Sequence, residues 1–301
     1  MLRLAISPDL LRSDAEIEAL RNTHANRADY EYSIAEDALI IGPEGVIARL
    51  VTNCLDADMV KEAAKHFRTV HGDGSNRGSI VGKDSMMNRF RVDGSLSFTK
   101  GVPLSIVKKM RERNEFTDFI GWMDASKYGD RFPNCRETAW SLESPEVLEA
   151  ARPFVKEVDR IYREELPHHW QQQREFMNRT SPDFKFNDSV FSTVTVNRNK
   201  RTTYHYDRDD FRGGMGNLVV LDSDGSGALV MPRYRLAFLP RPTDVLLMDV
   251  HAMHGNAIFT GERLTAVLYA RERIDECGKE YEVSGNDVHG ELLAKLKGEV
   301  S

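Results

Sequence analysis

Residues 190–196 read VFSTVTV and begin the stretch of sequence that decides the fold. Five more short apolar or alternating segments follow, separated by turn residues. They are residues 218–221 (LVVL), 228–231 (ALVM), 236–239 (LAFL), 245–248 (VLLM) and 264–269 (LTAVLY). Short apolar runs bounded by glycine, proline and aspartate are typical of β-strands. No helical pattern lies between them, so they predict an antiparallel sandwich or barrel rather than alternating strands and helices.

The N-terminal half predicts mainly helices. Ser13 and Glu16 have the spacing of a capping box, and Asp56 is placed to cap a second helix. Ser144 and Pro145 are a typical start for a longer helix. The sequence therefore predicts a mainly β fold with α-helices, in which N-terminal helices pack against a β core.

Composition narrows the class of protein. The 301 residues include 41% hydrophobic and 29% charged side chains, as in ordinary globular proteins. The net charge of −6 argues against coating nucleic acid by charge alone, although a local basic face is compatible with it. No apolar run is long enough to span a membrane.

The cellular compartment is also predicted. The three cysteines are widely spaced and lack a C-x-x-C pattern, which predicts no disulfide framework and a reducing compartment. The start, MLRLAISPDLL, lacks the pattern of a signal peptide. We expect an intracellular, soluble protein that is not secreted, located in the cytoplasm or, in a eukaryote, in the nucleus.

The residues that suggest chemistry lie in the strand-rich half. His205 and Asp207 are two positions apart, so on a strand they point to the same side. His254 follows the strand at 245–248. Two histidines and one carboxylate are the ligand set of non-haem Fe(II) oxygenases. His251 competes for the distal place, but we prefer His254 because the chain turns directly after it, and we expect His251 to bond to backbone nearby.

Arg263 begins the last predicted strand, nine residues after His254. A guanidinium can hold a carboxylate through two hydrogen bonds, and Thr265 adds a hydroxyl on the same face. The dicarboxylate 2-oxoglutarate needs this arrangement, since one end chelates iron and the other is clamped. The order H-x-D, then His, then R-x-T therefore predicts a dioxygenase that uses Fe(II), 2-oxoglutarate and O2.

Residues 222–227 (DSDGSG) resemble the start of a calcium-binding loop. No glutamate occupies the twelfth position of such a loop, so this segment predicts a hairpin turn instead.

Around the predicted iron ligands the sequence resembles the TET/JBP dioxygenases, and in particular the thymine-hydroxylating JBP branch. The resemblance covers roughly residues 76–277. It lies in residues 191–197 (FSTVTVN), 201–207 (RTTYHYD), 214–218 (GMGNL), 232–235 (PRYR) and 249–256 (DVHAMHGN), with upstream features at 76–78 (NRG) and 135–138 (CRET).

The resemblance implies a double-stranded β-helix, also called a jelly roll or cupin-like barrel. It implies hydroxylation of the C5-methyl group of thymine or 5-methylcytosine in DNA. The domains expected are an N-terminal helical and strand support region at 1–75, the dioxygenase domain at 76–277 and a C-terminal tail at 278–301. We expect neither a membrane nor a required protein partner.

Site residues follow from the same resemblance. The iron ligands are matched by His205, Asp207 and His254, and the 2-oxoglutarate anchor by Arg263. Substrate contacts are expected at Asp210, Asn217, Arg136 and Arg198. Asp210 stands where related enzymes bind the target base.

A buried site reaches a base in duplex DNA only if the nucleotide is flipped out, which calls for an aromatic side chain to stack on it. Tyr204, Tyr206 and Phe211 are the candidates. A modest basic rim for phosphates is predicted from Arg198, Lys200, Arg201, Arg208 and Arg212.

Two alternatives stay open. The first is a 2-oxoglutarate oxygenase that acts on a free nucleoside, an amino acid or another small metabolite, which the acidic net charge favours. The second is a binding module that has lost its metal, which the intact ligand set and Arg263 oppose.

Overall fold

A computed structural model describes residues 1–70, 114–125, 135–187 and 189–278. Within these residues the helices are α1 (Asp14–Leu20), α2 (Ala57–Phe67), α3 (Ala139–Glu143), α4 (Pro145–Glu165) and α5 (Pro167–Met177). The strands are β1 (Leu2–Ala5), β2 (Tyr32–Ile34), β3 (Ala38–Gly42), β4 (Gly45–Val51), β5 (Phe116–Met123), β6 (Arg136–Glu137), β7 (Thr193–Arg198), β8 (Gly216–Asp222), β9 (Leu229–Met231), β10 (Leu236–Phe238), β11 (Val245–Met248), β12 (Gly255–Asn256) and β13 (Leu264–Tyr269).

These strands form two sheets. The larger has nine strands in the order β1-β3-β4-β11-β8-β13-β7-β5-β6, and the smaller has four in the order β12-β9-β10-β2. Neighbouring strands are antiparallel except for β1 with β3 and β10 with β2. Two facing, mostly antiparallel sheets are the architecture of a jelly roll, as predicted from the sequence.

The larger sheet is buried on both faces. One face packs on helices α2 and α4, and Val245 and Leu247 belong to that core. The other face packs on the smaller sheet, and Leu246 and Met248 belong to the core between the sheets. Because both faces are covered, the central strands are continuous apolar runs rather than alternating ones. The six segments from residue 190 onward are therefore recognisable as strands from the sequence alone.

The N-terminal half departs from the prediction of mainly helices. Its helices are present: Ser13 forms a capping box with Glu16, and Asp56 caps α2. However, β1, β3, β4, β5 and β6 also extend the larger sheet, and β2 joins the smaller one. Strand β4 pairs with β11, about two hundred residues later in the chain. Because such pairing is long-range, no local pattern marks these short strands as part of the β core.

The prediction that the cysteines form no disulfide framework is wrong. Cys135 and Cys277 form a disulfide with Cα atoms 5.7 Å apart, and it joins positions 142 residues apart in sequence. Cys54 is free. Spacing could not reveal the pair, because the fold alone brings the start of β6 to the end of the described chain.

Some predictions fall outside the described residues. The expected boundary at 75/76 and the NRG feature at 76–78 lie in the segment that is not described, as do residues 279–301 of the expected tail. Among the described residues, no helix has the length and apolar character needed to cross a membrane.

Candidate metal centre

A short backbone bridge joins the two predicted histidine ligands. His205 and His254 pair as an isolated antiparallel bridge, with N–H to carbonyl distances of 2.9 and 3.0 Å. His205 lies in the segment after β7, and His254 lies just before β12. The centroids of the two imidazole rings lie 4.4 Å apart. Residues 49 positions apart in sequence are thus held side by side by main-chain hydrogen bonds.

Asp207 completes the cluster. One carboxylate oxygen lies 3.5 Å from Nε2 of His205, and the other lies 3.5 Å from Nε2 of His254. One ligand atom from each of the three residues lies within 4.8 Å of the other two. Among the described residues this is the one group of three His, Cys, Asp or Glu side chains with metal-binding geometry.

The Nδ1 nitrogen of each histidine ring already makes a hydrogen bond to the backbone. Nδ1 of His205 lies 2.6 Å from the carbonyl oxygen of Thr203, and Nδ1 of His254 lies 3.0 Å from that of Ala252. Because a carbonyl oxygen only accepts, each Nδ1 carries the proton and donates it. Both Nε2 atoms therefore face Asp207, and on losing any proton each can bind a metal, which is how histidine ligands are oriented.

The electrostatics of the cluster favour positive charge. Burial alone would lower the pKa of His254, but the hydrogen bond and charge of Asp207 outweigh it, and the pKa is raised. A site that draws a proton onto a buried histidine also suits a divalent cation. The donor set, the ring orientation and the electrostatics all fit Fe(II) at this position.

One cleft connects this cluster to Arg263. Its lining includes the three candidate ligands as well as Arg263, Thr265 and Asp210. Arg263 is 4% exposed, and among the described residues its Nε and one terminal nitrogen have no hydrogen-bond partner. Burial lowers its pKa to about 10. A buried, unsatisfied guanidinium that faces a cleft fits the carboxylate of a bound ligand.

Asp210 lies in the wall of the same cleft, as the resemblance implied. It is 4% exposed and forms an isolated bridge with Arg271, whose guanidinium donates to Asp124 over 2.8 Å. The ring of His251 lies 3.0 Å from the carbonyl oxygen of Asp210. His251 thus bonds to backbone beside the cluster and is outside the three-residue group, as we expected for the less favoured candidate.

Three predicted substrate residues do not line the cleft. Asn217 lies on the helix-covered face of β8, and its amide donates to the carbonyl of Met215 over 2.8 Å. Arg198 lies on the corresponding face of β7 and pairs with Glu262 at 3.3 Å. Arg136 donates to the carbonyl of Asp124 over 3.2 Å. The alternation of side chains along a strand places the first two opposite the site.

The predicted basic rim is only partly at the surface. Lys200 is 3% exposed, and burial lowers its pKa to about 8. Arg201 is half-buried and donates to the carbonyl of Ala25 over 2.8 Å. Arg208 and Arg212 are exposed, as a phosphate-binding rim requires.

None of the three stacking candidates lines the cleft. Tyr204 is fully buried and donates to Asp29. Phe211 is partly exposed but stacks on Phe176 with centroids 4.1 Å apart. Tyr206 is also partly exposed, and the guanidinium of Arg208 lies 5.3 Å from its ring centroid.

Sequence reasoning missed several polar residues of the cleft. The hydroxyl of Thr117 donates to Oδ1 of Asn197 over 2.7 Å, so the amide nitrogen of Asn197 takes no part in that bond. Both residues line the cleft, together with Asn256 and Tyr269. Thr117 and Thr265 flank Asn197 across the β5–β7 and β7–β13 pairs. Only strand register brings them together, so their spacing in the sequence carries no signal.

A jelly roll with two histidines and one carboxylate in its cleft defines the class of the protein, a non-haem iron oxygenase. Residues 122–272 match the Tet_JBP family, described as the oxygenase domain of the 2OGFeDO superfamily. This is half of the chain, and the chain belongs to that family. The superfamily uses Fe(II), 2-oxoglutarate and O2, as predicted from the sequence.

Two curated relatives illustrate the similarity. Thymine dioxygenase JBP1 of Trypanosoma brucei brucei is 37% identical over 158 residues, which are 49% of this chain and 18% of that protein. The bifunctional helicase and thymine dioxygenase JBP2 of Leishmania major is 36% identical over 143 residues, which are 46% of this chain and 13% of that protein. The chain thus spans less than a fifth of the length of these relatives.

A solved structure shares the fold. NgTET1 in complex with 5mC DNA superposes with a TM-score of 0.54 at 14% identity, covering 87% of this chain and 92% of that chain. At this identity the similarity is one of fold, and it agrees with the predicted jelly roll.

Proposed function

We propose that the protein hydroxylates the C5-methyl group of a 5-methylpyrimidine, thymine or 5-methylcytosine, in DNA, with Fe(II), 2-oxoglutarate and O2. The observation that carries the proposal is the single cleft that joins the His205, Asp207 and His254 cluster to the buried Arg263. Membership of the Tet_JBP family and similarity to proteins named thymine dioxygenases support this choice of substrate.

The roles of the residues follow from the geometry. His205, Asp207 and His254 would hold the iron through Nε2 atoms and a carboxylate oxygen that already converge. Arg263 would receive the distal carboxylate of 2-oxoglutarate, with the hydroxyl of Thr265 beside it. When bound, iron would couple the reduction of O2 to the oxidative decarboxylation of 2-oxoglutarate, so that one oxygen atom ends in succinate, the other forms the hydroxyl group of the product, and CO2 is released.

The chain's own residues would position the methyl group and exclude water. Leu218, Leu229, Met248 and Val250 line the cleft together with the polar residues. An apolar wall suits a methyl group and protects the oxidising centre from solvent.

Asp210 would recognise the base. Asp210 lines the cleft, and its carboxylate only accepts hydrogen bonds when ionised. Both candidate bases offer a donor: thymine has its N3–H, and 5-methylcytosine has its 4-amino group. A direct contact to Asp210 therefore suits either base.

The target nucleotide must leave the helix to enter the cleft, because the cluster lies inside the barrel. Tyr206, with Arg208 close to its ring, is a partly exposed aromatic side chain that adjoins the ligand His205 in sequence and lies outside the lining of the cleft. We assign it to stacking with a base next to the flipped one, and we assign Arg208 to a phosphate. Action on DNA also implies an intracellular location.

A free nucleoside, amino acid or other metabolite is the second candidate substrate. The internal engagement of Arg198, Lys200 and Arg201 favours it, because DNA binding draws on exposed cations.

Substrate-dependent release of succinate separates the two candidates. Purified protein is supplied with Fe(II), ascorbate and 2-oxoglutarate, and with either methylated DNA, the free nucleosides or no substrate. We expect DNA to stimulate succinate release well above the background without substrate, and His205→Ala to abolish the stimulation. Stimulation by free nucleosides but not by DNA would move the proposal to the metabolite substrate.

A further inference from the structure

Two loops meet over Arg263, and the sequence analysis left one of them without a function. The first, residues 222–227 (DSDGSG), leads from β8 in the larger sheet to β9 in the smaller sheet. It is therefore a crossover between sheets, and the predicted hairpin turn is wrong. The second, residues 257–262, leads from β12 to β13 and ends directly before Arg263.

Asp224 ties the two loops together. One of its carboxylate oxygens accepts the hydroxyl of Thr260 at 2.6 Å, and the other accepts the backbone N–H of Ser226 at 2.9 Å. The hydroxyl of Ser226 also donates to Asp224 and accepts the backbone N–H of Thr260 at 2.9 Å. We call Asp224, Ser226 and Thr260 the loop staple. Hydrogen bonds from Ser226 and Thr260 lower the pKa of Asp224 to about 2, so the staple is intact at neutral pH.

The staple lays Gly227 against the arginine. A Cβ atom at Gly227 would lie 3.0 Å from both Cδ and Nε of Arg263, and 2.9 Å from Cβ of Phe259. The backbone of Gly227 also has a φ of +88°, which favours glycine. Phe259 lies on another side of the arginine, with its ring centroid 5.8 Å from the guanidinium carbon. Gly227 and Phe259 thus form a seat for the Arg263 side chain.

The arginine depends on this seat for its position. Among the described residues, its Nε and one terminal nitrogen make no hydrogen bond, so packing rather than bonding orients the guanidinium. Packing of the two loops against the methylene stem therefore sets where the charge lies in the cleft.

We propose that the loop staple and Gly227 position Arg263 for the distal carboxylate of 2-oxoglutarate, and that Gly227 is a specificity-determining position of the co-substrate site. This inference rests on the proposed function, because it assumes that 2-oxoglutarate occupies the cleft. Asp224 acts through the loops and is a positioning residue that does not touch the ligand.

The chain contains a matched control for Gly227. Gly225 lies in the same loop with a φ of +89°, but a Cβ atom there would meet nothing within 4 Å. Gly225→Ala and Gly227→Ala therefore introduce the same backbone strain, and only the second displaces Arg263. At the staple, Asp224→Ala removes the contacts, whereas Asp224→Asn keeps one oxygen for Ser226 and a polar atom for Thr260.

The experiment measures 2-oxoglutarate binding by isothermal titration calorimetry, with Mn(II) in place of Fe(II) so that no turnover occurs. We expect Gly227→Ala to weaken binding at least about tenfold, since an ångström-scale displacement of a binding group has effects of this size. Asp224→Ala should weaken it about fivefold. Gly225→Ala and Asp224→Asn should bind within about twofold of wild type, a difference of about 0.4 kcal/mol.

Circular dichroism and the thermal midpoint check the fold of each variant. If Gly227→Ala does not fold, Asp224→Ala still tests the proposal, because the Asp224 side chain is exposed and its removal leaves the core intact. Equal affinity of Asp224→Ala, Asp224→Asn and wild type would overturn the role of the staple. Equal affinity of the two glycine variants would overturn the seat. Wild-type protein that binds no 2-oxoglutarate would overturn both this inference and the proposed function, whereas binding by every variant alike would overturn the inference alone.

Discussion

Replacing Arg263 with methionine should have opposite effects on stability and on ligand binding. The guanidinium is 4% exposed, and among the described residues two of its nitrogens have no partner. Leaving buried polar groups unsatisfied costs about 1–3 kcal/mol. Methionine keeps most of the apolar stem and removes the charge, so without ligand Arg263→Met should be more stable than wild type by about 1–3 kcal/mol.

The effect on ligand binding is the opposite. A charge-assisted hydrogen bond contributes about 1.5–3 kcal/mol, so losing the clamp should weaken binding by at least about tenfold, and by more than a hundredfold if two bonds are lost. At a ligand concentration of about 100 times the dissociation constant, wild type gains about 2.7 kcal/mol of stability. The variant should gain only about 1.4 kcal/mol at the same concentration if its binding is tenfold weaker, and about 0.4 kcal/mol if it is a hundredfold weaker.

The assay is urea denaturation with Mn(II) present, with and without 2-oxoglutarate, followed by far-ultraviolet circular dichroism. Thr265→Val provides a milder comparison at the same end of the cleft, with a smaller loss of affinity. The reasoning is refuted if Arg263→Met is stabilised by 2-oxoglutarate as much as wild type, because the ligand carboxylate would then lie elsewhere.

Three further predictions concern the metal, the base and the disulfide. His254→Ala should lose Fe(II) in equilibrium dialysis, whereas His251→Ala should retain about one iron per chain; the opposite pattern would make His251 the ligand. Asp210→Ala should lower kcat/KM for methylated DNA by about tenfold to a hundredfold through loss of a hydrogen bond to a charged group, while calorimetry shows unchanged 2-oxoglutarate affinity; unchanged kcat/KM would exclude the base contact. Cys135→Ser should lower the free energy of unfolding by about 2–5 kcal/mol in urea titrations, and equal destabilisation by the control Cys54→Ser would contradict a special role for the disulfide.

The strands of the C-terminal half could be predicted because the burial of each strand leaves a pattern within its own segment of sequence. Segments such as residues 245–248 (VLLM) are buried on both faces, so burial leaves a continuous apolar run in the sequence. The strands of the N-terminal half lack this signature. Strand β3 and strand β4 form a hairpin around Pro43 and Glu44, a signal that glycines on both sides could have revealed. The hairpin joins the larger sheet because β4 pairs with β11. Nothing in the sequence near β4 indicates that pairing.

The candidate site divides in the same way. The order of His205, Asp207, His254 and Arg263 predicted residues that the structure brings into one cleft, because each lies in a segment that follows or precedes a strand that local patterning locates. Predictions that depended on which face of a strand a side chain occupies were less accurate. Asn217 follows Gly216 on a strand whose alternate residues face the cleft, and a shift of one position turns a side chain to the other face.

The most direct test of the proposed function is the identity of the product. Protein with Fe(II), ascorbate and 2-oxoglutarate is incubated with DNA that contains thymine and 5-methylcytosine, and the digested nucleosides are identified by mass spectrometry. We predict 5-hydroxymethyluracil or 5-hydroxymethylcytosine, formed with wild-type protein and absent with Asp207→Ala. DNA that stays unmodified while 2-oxoglutarate is still converted into succinate would contradict DNA as the substrate and leave the iron site intact.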